Sequence, residues 1–337
     1  MKSLNRRFSS EYFRHRMQLL PTIKVKNEDV DMFEEKITVR NDNLDNCKTE
    51  CSDMEVDEND KNDIVKGDLL STIGVSDNVS LYFPIGVGIN YNNDTIICDT
   101  GHHMVWIVDE FGRPKQKIHQ KKATNFYRPS AVVVLENNNF VIKDNLGLYL
   151  YNKDGIFIRS IGETVLCKPY GLAITEDEKL ITLNETWKSS LFVFNKDGGV
   201  ENRNLYEPLL KRHDKSKCRF LAYYSNQVVV SDLGLSKIYK TTVDGKLIKT
   251  FGTFGDNDGD LNEPSGIALD PKGTMLIGDS RNDRLQIFDW EGDYLGKVAL
   301  SDLIRRPSDV TLTKDGRLYV LNYLDHFLSI YRLKMNE

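Results

Sequence analysis

The chain has 337 residues, 40% of them hydrophobic and 28% charged, with a formal net charge of −5. That length and apolar share support one large or two modest globular domains with a real core. The mildly acidic balance excludes nucleic-acid binding driven by overall charge, so any such binding must rest on a local basic patch.

In chain order, the start M-K-S-L-N-R-R-F-S-S-E-Y-F-R-H-R-M-Q-L-L lacks the uninterrupted apolar core of a secretory signal. No apolar run reaches the roughly 20 residues of a membrane-spanning helix. The expectation is an intracellular, cytoplasmic protein with no membrane partner, although the Arg-rich start with a single acid also fits a mitochondrial presequence. Residues 1–66 hold 12 Lys+Arg against 15 Asp+Glu, and the remainder 33 against 35. From Asn41 to Asp63 acids and amides outnumber apolar side chains too heavily to bury a core, which predicts a disordered acidic arm over 1–66. A short basic helix within 1–40 would be marginal in water and is left unassigned. The five cysteines, at 47, 51, 98, 167 and 218, are odd in number and lack the C-x-x-C knuckles of a zinc module, so reduced thiols and no cofactor are expected. Cys47 and Cys51 read as solvated thiols rather than half a metal site.

Beyond residue 67 the chain repeats. Each unit opens on a short apolar strand, turns, runs a second apolar strand ending in Asp or Asn, then adds a third strand and an Asp-Gly-like turn into a fourth. The opening residues are Pro84, Pro129, Pro169, Cys218, Pro264 and Pro307, with gaps of 45, 40, 49, 46 and 43. The strand-ending residues keep step: Asp99, Asp144, Asn184, Asp232, Asp279 and Asn322. The runs are rich in Val, Ile, Leu and Tyr and bounded by Gly, Asn and Asp turns, which predicts strands. Four short strands per repeat indicate a propeller blade. The predicted fold is all-β, a six-bladed β-propeller over 67–334. Because open strand edges invite aggregation, the ring must close. The last unit stops after its third strand, Leu328 to Leu333, whereas Gly67 to Gly74, G-D-L-L-S-T-I-G, matches the fourth strands at Gly155 and Gly245. The 67–74 segment is therefore expected to complete the sixth blade.

The fifth unit, L-N-E-P-S-G-I-A-L-D-P-K-G-T-M-L-I-G-D-S-R-N-D-R-L-Q-I-F-D-W-E-G, resembles an NHL repeat. The pattern runs through all six units, although the second lacks two loop residues after Asp144 and the fourth has Cys218 where proline is usual. WD-type blades would need recurring Gly-His and Trp-Asp signatures, which do not recur. The resemblance is to the C-terminal domains of tripartite-motif NHL proteins, where RING, B-box and coiled-coil modules precede a propeller that binds RNA or partner proteins. This sequence has no Cys/His array for a RING or B-box and no heptads, so ligase activity is not carried over to it. A relative reduced to its recognition domain and a truncated gene model both fit.

The resemblance implies a non-catalytic recognition platform, with no metal or cofactor expected; the residues supply the detail. Loops joining second to third strands, and fourth strands to the next blade, gather on one propeller face. The candidate ligand-binding residues there are Lys121, Lys122, Phe126, Tyr127, Arg128, Trp187, Lys188, Lys211, Arg212, Lys217, Arg219, Arg281, Arg305 and Arg306. Cations hold phosphates and exposed aromatic faces stack bases, so single-stranded or stem-loop RNA is one expected partner. The other is a protein, in a monomeric adaptor for ubiquitination or signalling. Against RNA, loop cations are commonly just solvated, and Asp256 to Glu263 brings four acids to the same face. Asp99, Asp144, Asp232 and Asp279 are read as structural, accepting hydrogen bonds from nearby backbone N–H groups. Arg284 is read as bracing a loop against its blade, with Lys237 in the equivalent position. His102, His103 and His326 could meet at the closure, but their repeat positions match Asn282 and Asp283, where loop residues suffice. The innermost strands supply few carboxylates and no histidine, which argues against a hydrolase or lyase site on the axis.

Overall fold

The computed structural model describes residues 63–335, apart from 77, 122–123, 186–188 and 211–212. The described residues form an all-β propeller. Four consecutive four-stranded antiparallel sheets run over Gly86–Ile118, Ala131–Ile161, Pro169–Leu205 and Cys218–Phe251. Apart from two two-stranded ribbons, Val75–Ser76 with Val79–Ser80 and Gln120–Lys121 with Thr124–Asn125, the remaining strands form one eight-stranded sheet, where two separate blades were expected. The cause is the N-terminal strand Asp63–Ile73. Its length is antiparallel to Phe327–Met335, while its first residues, Asp63 to Gly67, lie parallel to Lys297–Leu300 of the preceding repeat. Asp63, Val65 and Lys66, placed in the arm from sequence, are strand residues here: all three pair with Lys297, Val298 and Ala299, and Val65 and Lys66 pair also with Met335 and Lys334. The opening residues Pro169, Cys218, Pro264 and Pro307 begin their strands, whereas the first two innermost strands begin two residues later, at Gly86 and Ala131.

Burial explains the composition of each strand. The second and third strands of a repeat, such as Thr95–Asp99 and Met104–Val108, are buried throughout, because neighbouring sheets cover both faces. The fourth strands, such as Pro114–Ile118 and Val200–Leu205, lie at the rim and carry mostly polar, exposed residues. Among the described residues the core divides into six clusters, each spanning two neighbouring repeats. One of them packs Ile97 and Trp106 of the first repeat against Tyr319, Leu321 and Leu328 of the last, and so closes the ring. Third-to-fourth strand turns place Gly112, Gly155, Gly198, Gly245 and Gly292 at φ between 71° and 83°, a region that favours glycine.

Candidate binding face

The loop face is ordered by two recurring hydrogen bonds. In the first, the strand-ending Asp or Asn accepts from the backbone N–H of the link that opens its repeat. Asp99 accepts from Tyr82 (2.9 Å), Asp144 from Tyr127 (2.8 Å), Asn184 from Cys167 (2.9 Å), Asp279 from Asn262 (2.6 Å) and Asn322 from Arg305 (3.2 Å). In all five the partners are 17 residues apart. The fourth repeat differs slightly, with Asp232 taking the Lys217 N–H and the Ser216 hydroxyl. These six side chains are almost fully buried, and burial raises the Asp279 carboxyl above the usual range against hydrogen bonds from Asn262, Asn282 and Arg284.

The second bond links neighbouring repeats. The N–H of the residue before four of the five opening prolines donates into the preceding repeat's second-to-third strand loop: Arg128 to His103 Nδ1 and Phe83 to His326 Nδ1, both 3.0 Å, Glu263 to Ser236 Oγ at 3.3 Å, and Arg306 to Asp283 Oδ1 at 2.7 Å. The two histidines thus stand as acceptors where another repeat uses Asp283. Closure does bring their loops together, with Tyr82 packing 5.4 Å from the His102 ring and 5.1 Å from His326. His102 Nδ1 faces Asp99 at 2.9 Å. Among the described residues no group of three or more His, Cys, Asp or Glu is placed to hold a metal.

The expected ligand-face residues separate into distinct environments. Phe126 is a correction: at 3% exposure it packs in the core between the first and second sheets, edge-on to Tyr149, because it alternates inward from its exposed neighbour Tyr127. Tyr127 is 42% exposed and stacks on His103, ring centroids 5.7 Å apart. Arg128 and Lys217 are half-buried on the links. Arg281 and Arg306 both pair with Glu263, at 2.7 and 2.5 Å, and Arg305 lies 3.8 Å from Asp325. Lys122, Trp187, Lys188, Lys211 and Arg212 lie outside the described residues, and of Lys121 only the backbone is described, in the two-residue strand Gln120–Lys121. Arg284 holds the acidic loop down: its guanidinium donates to Asp279 and to the carbonyls of Asp256, Asn257 and Asp260.

Arg219 has a different setting. Its guanidinium lies 3.9 Å from the Tyr170 ring centroid, with Lys168 at 5.4 Å and Lys143 at 5.7 Å from the same ring. Lys143, Lys168 and Tyr170 were not singled out from sequence. The available signal was a lysine ending the otherwise apolar strand F-V-I-K. Lys143 is 3% exposed and donates to Ser130 Oγ at 2.9 Å, while Lys168 sits 3.6 Å from Glu185. Nearby, the axial cavity is lined by Ala131, Val132, Gly171, Leu172, Phe220, Leu221, Ile267 and Asp309. Asp309 is its one ionisable lining group. Burial pushes its carboxyl up to about 7, against hydrogen bonds from the Val87 and Val310 N–H groups.

No family model matches the chain. It is similar to Protein brain tumor of Drosophila melanogaster, 29% identical over 123 residues, 35% of this chain and 12% of that protein. It is also similar to Protein lin-41 of Caenorhabditis elegans, 44% identical over 50 residues, 15% of this chain and 4% of that protein. NHL repeat-containing protein 3 of Homo sapiens is 29% identical over 100 residues, 29% of each chain. The matched segments thus span less than a third of each relative. Among solved structures, a Bacteroides thetaiotaomicron protein of unknown function superposes with a TM-score of 0.61 at 16% identity, covering 81% of this chain and 75% of that one. A streptogramin B lyase superposes at 0.55 and 13% identity, covering 81% and 97%. At such identities these structures show the fold alone. The sequence relatives support an NHL-type likeness for the propeller.

Proposed function

We propose that this NHL-type propeller is a non-catalytic recognition module that binds single-stranded or stem-loop RNA through its loop face. In this reading the eight-stranded sheet counts as two blades joined by the N-terminal strand, giving six, and the propeller is a cytoplasmic monomer that follows an arm ending near residue 62. The observation that carries the RNA reading is the uneven distribution of charge around the face. Arg281 and Arg306 of the last repeats share Glu263, whereas Lys143, Lys168 and Arg219 crowd one tyrosine ring in the middle repeats. Exposed Tyr127 lies on the same face, and a cationic surface with an open ring suits phosphates and bases together.

The test is binding of the full chain to a random single-stranded RNA pool at two salt concentrations. Phosphate contacts make affinity fall with salt, with a logarithmic slope of roughly −0.7 per contact on single strands. Salt-sensitive enrichment of a short motif is expected. A lack of binding at low salt would favour a second reading, a protein adaptor. That reading draws on exposed apolar side chains on the links, Phe254 at 71% and Leu303 at 90%.

A further inference from the structure

The cluster around Tyr170 departs from the chain's own repeat. Elsewhere near the axis, neutral hydroxyls tie one repeat to the next: Ser265 Oγ donates to the Pro307 carbonyl, Ser308 Oγ to Pro84, and Thr100 Oγ1 to Pro129, at 2.6 to 2.7 Å. Tyr170 and Arg219 occupy the position that Ser265 and Ser308 hold in their own repeats, directly after the opening residue. Lys143 occupies the position of Ser231, which donates to the Ser265 carbonyl. Two cations and a tyrosine thus replace a neutral seam between the second, third and fourth sheets, and Lys168, on the link just before Pro169, adds a third cation beside the same ring.

Collecting like charges in a buried setting is unfavourable; the ring face and partial neutralisation of Lys143 relieve part of the repulsion, and an anion would relieve more. The carboxylates within reach do so only in part. Asp144 already accepts from the Tyr127, Leu146 and Gly147 N–H groups, and Glu185 stands 3.6 Å from Lys168. We propose that Lys168 and Arg219, with the more deeply buried Lys143 behind them, form a binding site for a phosphate group beside the axial cavity. The site rests on the RNA reading insofar as that phosphate belongs to a nucleic-acid backbone; a free phosphate group is the other source.

The chemistry leaves a signature. Lys143 faces Ser130 on its own sheet, Cys98 on the first sheet, Tyr170 and Lys168 of the third repeat and Arg219 of the fourth, with Asp144 adjacent. Burial, then Arg219, lower its ammonium pKa to about 7, with Lys168 adding to the effect and Asp144 and Cys98 opposing it. A bound anion favours the charged form and raises that pKa, so binding at pH 8 takes up a proton at Lys143, whereas at pH 6 the group is already charged.

The experiment is titration calorimetry of the full chain in two buffers of different ionisation enthalpy. The probes are sulfate, a non-titrating stand-in for phosphate, and a random RNA pool with 5′-hydroxyl ends. Expected are mutual displacement of the two probes and proton uptake at pH 8 that vanishes at pH 6 and in Lys143→Met. Arg219→Ala or Lys168→Gln should weaken sulfate binding at least about tenfold. Sulfate binding without RNA binding would support the site as one for a free phosphate group and overturn the RNA reading. RNA binding that sulfate does not displace and that Arg219→Ala leaves unchanged would overturn the site and leave the RNA reading standing. Absence of sulfate binding to the parent chain would overturn the site as well.

Discussion

The backbone N–H of Arg128 donates to Nδ1 of His103 at 3.0 Å, and both residues hold left-handed backbone angles, φ 55° and 58°. Phe83 and His326 repeat the arrangement at the ring closure, with φ 46° and 61°. Each pair ties a link to the preceding repeat's loop, and each requires a histidine whose Nδ1 carries a lone pair. Burial, assisted at His103 by the Arg128 guanidinium, holds both imidazoles below their usual pKa.

That fixes the sign of one pH effect. An unfolded histidine titrates near 6.5, and below that pH the unfolded chain binds protons that these two sites resist. Their contribution to stability is full above about pH 6.5 and is lost as pH falls through their lowered folded values. Replacing both with Asn keeps an acceptor oxygen, tolerates positive φ and does not titrate. The melting temperature of His103→Asn/His326→Asn should accordingly fall less than the parent's between pH 7.5 and 5.5. Parallel curves would refute the assignment.

Asp309 works in the opposite direction. Its folded pKa of about 7 lies above the unfolded value, so stability declines as pH rises toward 7 and is flat above. Asn mimics the protonated acid. Asp309→Asn should stabilise the chain at pH 8 by on the order of 4 kcal/mol, from about 1.4 kcal/mol per pKa unit, and have little effect at pH 4. Denaturant unfolding at the two pH values measures it, and an equal effect at both would show that the carboxyl titrates normally.

The N-terminal strand pairs Val65 to Ile73 with Met335 to Leu328 and supplies Val65 to the core of the last repeats. Deleting residues 63–73 should lower the melting temperature far more than deleting residues 1–57, since it strips a blade edge and leaves hydrogen-bonding groups unpaired. Equal losses would mean that the ring holds without this strand.

Arg284 donates four hydrogen bonds, three of them to carbonyls of the 256–260 loop. Arg284→Ala should cost roughly 1 to 3 kcal/mol and open the loop to protease. Lysine, lacking the planar fork, should restore only part of the protection. Limited proteolysis with mapping of the first cleavage decides, and a cut outside 256–263 would place the weak point elsewhere.

Repeat chemistry was legible without coordinates because it is local. The spacing of Asp99, Asp144, Asp232 and Asp279 from their opening residues follows from a hairpin of fixed length, and a fourth-strand pattern at residues 67–74 needs a third strand to complete. Strand pairing on both sides of Asp63–Gly67 was not legible, since the parallel partner Lys297–Leu300 lies more than 230 residues away. The alternation that turns Phe126 inward and Tyr127 outward depends on which face of a short link meets the core. Likewise Glu263 pairs with Arg306 only because ring geometry brings the next repeat's link against it, alongside Arg281 of its own repeat. Sequence determined that the chain makes repeated four-strand units and where each turns, because backbone turns and apolar runs act over a few residues. Only the tertiary structure decided which cations are paired and which gather at Tyr170, because charges act through space and the propeller sets side by side residues that the chain keeps about 25 to 75 positions apart.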